Sequence, residues 1–144
     1  MDQEKFTQPG WKILLVEDEQ MVGNVIERVL MNAGFTVIRA ADGRAALEAW
    51  KSCGSSVDLV LTDVVMPDMS GPEMARRLRQ VAPAMKIILM SGYRGLDRES
   101  ELLHGAGGAF LQKPVNARTL LSAVRKVLDG SIHKDASKKE ERNK

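Results

Sequence analysis

Short apolar runs alternate with longer amphipathic segments along most of this chain. A short apolar run bounded by polar or turn residues favours a β-strand, whereas apolar residues recurring about every three or four positions favour a helix. Segments that alternate in this way form parallel βα units, with helices on both faces of one sheet. The predicted strands cover residues 12–17, 36–40, 58–62, 86–90 and 109–112. The predicted helices cover residues 20–33, 44–53, 71–81, 97–104 and 116–129.

Charged residues follow three of the predicted strands. Glu17 and Asp18 close the first apolar run, Asp63 closes the third and Lys113 closes the fifth. Ligands of open parallel sheets bind beyond the carboxyl ends of the strands, so these side chains are predicted to meet at one edge of the sheet. Carboxylate oxygens suit a hard divalent cation such as Mg²⁺, and an ammonium group suits an anion. The pattern therefore predicts a site for a metal ion and an anionic group.

The composition argues against several classes of protein. With 144 residues, 44% of them hydrophobic, the chain suits one globular domain with a real core. The net charge is only +2, so the broad basic face of a DNA-binding protein is not expected. Cys53 is the one cysteine, which predicts a reducing compartment and a cytoplasmic location. No apolar run approaches the roughly 20 residues that span a membrane, and the polar N-terminus does not resemble a signal peptide.

Four motifs follow one another along the chain. They are LVEDE (15–19), LTDVVMPDMSG (61–71), MSGY (90–93) and FLQKP (110–114). In this order they resemble the response-regulator receiver domain of two-component signalling, from about residue 11 to about residue 128. The resemblance implies a flavodoxin-like (βα)5 sandwich with a parallel sheet of strand order 2-1-3-4-5, an order that periodicity alone does not define. The second and third motifs are also similar to receivers of hybrid histidine kinases.

The resemblance implies a role for each acidic residue. Asp63 would be the phosphoacceptor as well as a metal ligand, and its carboxylate would attack a phosphoryl group to form an acyl phosphate. Asp18 would bind Mg²⁺ directly and Glu17 would bind it through water, although the family more often has two aspartates at these positions. The backbone carbonyl of Val65 would complete the metal site. Mg²⁺ is expected because neighbouring carboxylates would otherwise repel the incoming phosphoryl group.

The resemblance also implies roles for residues near the fourth and fifth strands. Lys113 would pair first with Asp63 and then with a phosphoryl oxygen, and the peptide bond before Pro114 would be cis. Ser91 would donate its hydroxyl to the phosphoryl group. Phe110 would be a switch residue that moves inward with Ser91, although an ordinary core phenylalanine is an open alternative.

The expected function is that of a phosphoacceptor in a two-component phosphorelay. A histidine kinase or histidine phosphotransfer protein would supply the phosphate from a phosphohistidine. Phosphorylation would switch a protein-interaction surface formed by the predicted helix 97–104, the last strand and the predicted helix 116–129, and a phosphorylation-dependent dimer is compatible with this function. The protein would not be an enzyme beyond promoting its own phosphorylation and dephosphorylation, and neither DNA nor a membrane is an expected partner.

Two other functions use similar residues. A phosphohydrolase with an aspartyl-phosphate intermediate typically has a second aspartate two residues after the nucleophile, where this chain has Val65, which cannot transfer a proton. A flavodoxin-like cofactor-binding module would need a phosphate-cradling loop after the first strand. Glu17 and Asp18 lie there instead and would repel a flavin phosphate.

The two ends of the chain differ from its centre. Residues 1–10 and 131–144 are polar and lack periodicity, so both are predicted to be mobile extensions, the second of them basic. Gly130 follows the apolar pattern of the last helix and is predicted to end it. The predicted receiver domain accordingly covers residues 11–130.

Overall fold

A computed structural model describes residues 11–53, 56–92 and 109–143, with side chains through residue 130. Its strands are β1 (Lys12–Val16), β2 (Thr36–Ala40), β3 (Leu59–Asp63), β4 (Lys86–Ser91) and β5 (Ala109–Gln112). They pair in parallel in the order β2-β1-β3-β4-β5. This is the predicted flavodoxin-like order, which is therefore confirmed.

Helices cover both faces of the sheet. The described helices are α1 (Gln20–Asn32), α2 (Gly43–Cys53), α3 (Gly71–Val81) and α4 (Ala117–Asn143). Alternate residues of the strands point to opposite faces, so the core has two halves. The half against α2 and α3 includes Leu14, Val16, Val60, Ile87, Leu89, Ala46, Met74 and Leu78. The half against α1 and α4 includes Ile13, Leu15, Leu61, Ile88, Met90, Ile26, Leu30, Leu120 and Val124.

The start of α3 is defined by its own sequence. The Ser70 side chain accepts a hydrogen bond of 3.1 Å from the backbone N–H of Glu73 and so caps the helix. Pro72 lies in the first turn, where its missing N–H costs nothing and its fixed φ favours the helix. These signals begin α3 immediately after the loop that follows Asp63.

The last helix differs from its prediction. The sequence predicts that Gly130 ends it, but α4 continues to Asn143. A single glycine costs a helix only about 1 kcal/mol relative to alanine, and lysine, arginine and glutamate are good helix formers. Residues 131–143 are rich in these residues, so the helix passes through the glycine. A division between domain and tail at residue 130 stays a prediction, and the predicted helix 97–104 and the extension 1–10 lie outside the described residues.

Candidate functional site

The register of the sheet places Glu17 beside Asp63. In the pairing of β1 with β3, Leu15 lies opposite Leu61 and Val16 lies opposite Thr62. Asp63 is the last residue of β3, and Glu17 extends β1 by donating its backbone N–H to the Ala40 carbonyl at 3.1 Å. Glu17 lies two residues after Leu15, and Asp63 lies two residues after Leu61. Since side chains alternate along a strand, both acids point to the same face of the sheet.

Three carboxylates form a cluster at this edge. One oxygen each of Glu17, Asp18 and Asp63 lies within 4.8 Å of the other two. Glu17 and Asp63 are buried, with 1% and 8% of their surface exposed, whereas Asp18 is exposed. Oxygen donors at this spacing suit a hard divalent cation that keeps part of its water shell. The residues present therefore fit a metal ion such as Mg²⁺.

Lys113 bridges the two buried acids. Its Nζ donates to Glu17 Oε1 at 2.8 Å and to Asp63 Oδ2 at 2.9 Å. The backbone places it there, since the Lys113 N–H donates to the Ser91 carbonyl at 2.8 Å and the Lys113–Pro114 peptide bond is cis. The sequence predicts the bond to Asp63 but not the one to Glu17.

Glu17, Asp63 and Lys113 influence the pKa values of this site. Burial raises the pKa of the Glu17 carboxyl above its ordinary value, and hydrogen bonds from Lys113 and from the Glu19 N–H only partly oppose that shift. Burial lowers the pKa of Lys113, but its hydrogen bonds to Glu17 and Asp63 raise it more, so the net shift is upward. By formal charge, three carboxylates and one ammonium give the site an excess of two negative charges. A divalent cation would neutralise this excess.

The loop after Asp63 is tightly connected to its surroundings. The Val64 N–H donates to the Met90 carbonyl at 2.8 Å, and the Gly71 N–H donates to the Val64 carbonyl at 2.7 Å. A Cβ atom at Gly71 would collide with the Asp63 carbonyl oxygen. Glycine is therefore required where α3 begins against the end of β3. Val65 lies between these contacts with 54% of its surface exposed.

Comparison with known proteins identifies the family. A family model for the response regulator receiver domain matches residues 13–125. The chain belongs to this family. The receiver is 41% identical over 117 residues to the sensor kinase CckA of Brucella abortus (strain 2308), across 81% of this chain and 12% of the kinase. It is 38% identical over 117 residues to the transcriptional regulatory protein CpxR of Escherichia coli (strain K12), across 81% of this chain and 49% of the regulator. The chain thus spans at most about half of either relative.

Solved receiver structures share the fold. The response regulator receiver domain protein of Clostridium thermocellum superimposes with a TM-score of 0.77 at 29% identity, covering 84% of this chain and 96% of that one. The receiver domain of the hybrid histidine kinase CckA gives a TM-score of 0.70 at 33% identity, covering 81% of this chain and 98% of that one. The predicted similarity to hybrid-kinase receivers is confirmed. Receiver domains are signalling domains, and in the described part of the chain no helix could cross a membrane.

The other predicted site residues of the receiver lie in β4, in β5 and in the loop after β3. Ser91 is the last residue of β4 and is buried. Phe110, in β5, is partly buried against the half of the core formed with α2 and α3. This position is compatible both with a switch and with ordinary packing. The roles of Ser91, Phe110 and the Val65 carbonyl stay predictions.

A groove opens beside Lys113. Its volume is about 380 Å³, and its walls are Glu19, Val22, Val25, Ile26, Lys113, Pro114 and Val115. One of its walls, Val25 of α1, is an exposed apolar residue. The sequence shows the apolar periodicity of α1 but not which of its residues remain uncovered, because that depends on the path of the chain after β5.

One residue near the site had no predicted role. Asp68 lies in the loop between β3 and α3, and its carboxylate accepts hydrogen bonds from backbone N–H groups at the start of α2. The motif contains this acid, but its partners are 24 and 25 residues earlier in the sequence. No local pattern connects the two segments.

Proposed function

We propose that this receiver domain accepts a phosphoryl group on Asp63 from a phosphohistidine, with Mg²⁺ as cofactor. The observation that carries the proposal is the position of Asp63: a buried carboxylate hydrogen-bonded to Lys113 and grouped with Glu17 and Asp18. The excess of two negative charges in this group accounts for the need for a divalent cation. The lone Cys53 supports a cytoplasmic location as part of the proposal.

The proposed reaction uses an oxygen of Asp63 as nucleophile. Lys113 holds Asp63 through Oδ2, and the other oxygen, Oδ1, would form the bond to phosphorus. As that bond forms, the bond from phosphorus to the donor imidazole breaks and its electron pair returns to the imidazole nitrogen. Bound Mg²⁺ supplies positive charge that offsets repulsion between carboxylates and phosphoryl oxygens. Lys113 and the Ser91 hydroxyl then donate to the phosphoryl oxygens.

In this function the protein is a switch and does not act as an enzyme on other substrates. The protein promotes its own phosphorylation, and water then hydrolyses the acyl phosphate. Both reactions take place on Asp63 of the protein itself. Val65 occupies the position where phosphohydrolases carry an acid, and its side chain has no proton to transfer. This supports a single phosphorylation of each chain over repeated turnover.

The groove beside Lys113 supports a protein as the phosphodonor. Its apolar wall from α1 and Val115 lies next to Lys113, which contacts Asp63. A histidine kinase or phosphotransfer protein that covers this wall would bring its phosphohistidine to the carboxylate cluster. The sensor kinase relative supports a kinase of this class as partner.

Labelling by a small phosphodonor tests the proposal. Acetyl phosphate with Mg²⁺ should add one phosphate to the intact mass, and chelation of Mg²⁺ or Asp63→Asn should abolish the addition. Asp58→Asn is the matched control, because Asp58 lies at the opposite end of β3 and accepts a hydrogen bond of 2.8 Å from the Lys12 N–H. Equal labelling of Asp63→Asn would overturn the assignment. Continuous hydrolysis of a small phosphoester would instead favour the phosphohydrolase.

A further inference from the structure

Asp68 connects the loop after Asp63 to the first turn of α2. Its Oδ1 accepts from the Gly43 N–H at 3.0 Å, and its Oδ2 accepts from the Arg44 N–H at 2.7 Å. The Met69 N–H also donates to Oδ1, at 2.8 Å. Both oxygens of this carboxylate are therefore used, and two of the three bonds cross from the loop to the helix.

α2 has an N-cap residue of its own, so capping this helix does not by itself account for the hydrogen bonds of Asp68. Asp42 precedes α2, and its Oδ1 accepts from the Ala45 N–H at 2.8 Å. The first N–H groups of a helix have no partners within it. Asp42 serves one of these groups, whereas Gly43 and Arg44 donate to a residue of another loop.

Steric contact reinforces this connection. The Met69 side chain packs so closely on Gly43 that a Cβ atom there would collide with the Met69 Cγ. The loop and the start of α2 are therefore joined by packing as well as by hydrogen bonds. Since Asp68 and Met69 are consecutive, one short part of the loop makes all these contacts.

The loop after Asp63 is held at two points, at Asp68 by its bonds to α2 and at Val64 near its other end. Val64 is fixed by its bonds to Met90 and Gly71. Val65 lies between Val64 and Asp68, and its side chain is exposed. The position of the Val65 carbonyl thus depends on both anchors, because the chain between them is only a few residues long.

We propose that Asp68 is a positioning residue for the metal site: by fixing the loop on α2, it holds the Val65 carbonyl where Mg²⁺ binds. The inference rests on the proposed function, which gives that carbonyl to the metal. Asp68 acts on the metal through the loop and does not bind it.

Mg²⁺ titration of matched variants tests this role. Asp68→Ala should weaken Mg²⁺ binding about tenfold, the lower end of the loss typical when groups that orient metal ligands are removed. Asp42→Ala is the control, because it removes a hydrogen bond from the same helix terminus but none from the loop. The Mg²⁺ affinity of Asp42→Ala should stay within about twofold of the wild type. Affinities would come from amide NMR titrations, and thermal melts would compare the stability of the two variants.

A second variant and a second measurement guard against an unfolded protein. Asp68→Asn keeps one acceptor oxygen for α2, so its Mg²⁺ affinity should lie between those of the wild type and Asp68→Ala. If Asp68→Ala does not fold, Asp68→Asn is compared with Asp42→Ala in its place. Raising Mg²⁺ should restore labelling of the Asp68 variants by acetyl phosphate, because the loss concerns metal affinity and not the nucleophile.

The outcomes separate this inference from the proposed function. Equal losses of Mg²⁺ affinity in the Asp68 and Asp42 variants, or unchanged affinity in both, would overturn the positioning role while Asp63 remained the phosphoacceptor. A wild-type protein that neither binds Mg²⁺ nor accepts phosphate would overturn the proposed function, and the positioning role with it.

Discussion

At the scale of single residues, Lys113 is the internal counter-ion of the carboxylate cluster. Lys113→Ala leaves Glu17 and Asp63 unpaired, and the free energy of unfolding in Mg²⁺-free buffer should fall by about 1–3 kcal/mol. The negative charge left for Mg²⁺ to neutralise becomes larger, so Mg²⁺ should stabilise this variant more than the wild type. Thermal melts with and without Mg²⁺ measure both effects. Equal stabilisation of the two proteins would show that Lys113 does not compete with the metal for these acids.

Glu17 and Asp18 should differ as metal ligands. Both oxygens of Glu17 already accept hydrogen bonds, Oε1 from Lys113 at 2.8 Å and Oε2 from the Glu19 N–H at 3.1 Å, whereas Asp18 is exposed. Removing the charge of a direct metal ligand costs more Mg²⁺ affinity than removing the charge of a ligand that acts through water. Asp18→Asn should therefore weaken Mg²⁺ binding more than Glu17→Gln. Calorimetric titration of the two variants measures the difference. The opposite order would exchange their roles.

Asp68 should make stability depend on pH in acid. Its small burial raises the pKa, but hydrogen bonds from the Arg44, Gly43 and Met69 N–H groups lower it more, so the pKa lies below its ordinary value of 3.8. Folding lowers this pKa, so the stabilisation is complete above the ordinary value and disappears as pH falls through the folded value. Urea unfolding should show wild type more stable than Asp68→Asn at about pH 7, with a smaller difference near about pH 3. A stability difference between the two proteins that does not change with pH would contradict stabilisation by the ionised Asp68 carboxylate.

The sequence predicted which residues form the site better than it predicted their contacts. Alternation and strand ends brought Glu17, Asp63 and Lys113 to one edge, because parallel strands end together. The bond from Lys113 to Glu17 depends on side-chain length and direction, which periodicity does not contain. The bonds of Asp68 depend on the folded path of a loop relative to a helix distant in sequence.

At the scale of elements, strand and helix positions follow from local periodicity, but the strand order does not. Any order with right-handed crossovers satisfies the same alternation of segments, and only the family resemblance selected the observed one. The predicted end of α4 was wrong because a local signal was given too much weight. Gly130 is a local stop signal, and the helix formers after it outweigh it.

The continuation of α4 gives a prediction about this helix. Gly130 is exposed, and a Cβ atom at this position would meet no other atom within 4 Å. Gly130→Ala should therefore favour the helix by about 1 kcal/mol without a steric cost. Circular dichroism at increasing temperature should show a stronger and more persistent helical signal than in the wild type. A weaker signal would mean that the chain needs glycine at residue 130.

At the scale of the whole molecule, the carboxylate cluster lies at the carboxyl ends of β1 and β3, and β4 pairs with β3 beside it. Ser91 ends β4, which pairs with β3 through Asp63 and with β5 through Gln112. A phosphoryl group can shift a two-state surface only through contacts that differ between the states. We expect the Ser91 hydroxyl to be that contact between the phosphorylation site and β5.

Amide NMR with beryllofluoride and Mg²⁺ tests this coupling. Wild type should show shifts near Asp63 and also in β5 around Phe110. Ser91→Ala should keep the shifts near Asp63, because the nucleophile and the metal ligands are intact, and lose most of those in β5. Undiminished shifts in β5 would place the coupling elsewhere.

The groove beside Lys113 has a consequence for the divergence of signalling pathways. Its apolar wall from α1 and Val115 is built from residues that take no part in the proposed chemistry, whereas Lys113 lines the groove and also contacts Asp63. Substitutions at Val22, Val25 or Val115 can therefore change which donor fits while Asp63 and its acids stay the same. After a gene duplication, a few substitutions in this wall would make the two receivers accept different phosphodonors. The phosphorylation reaction itself would stay the same in both.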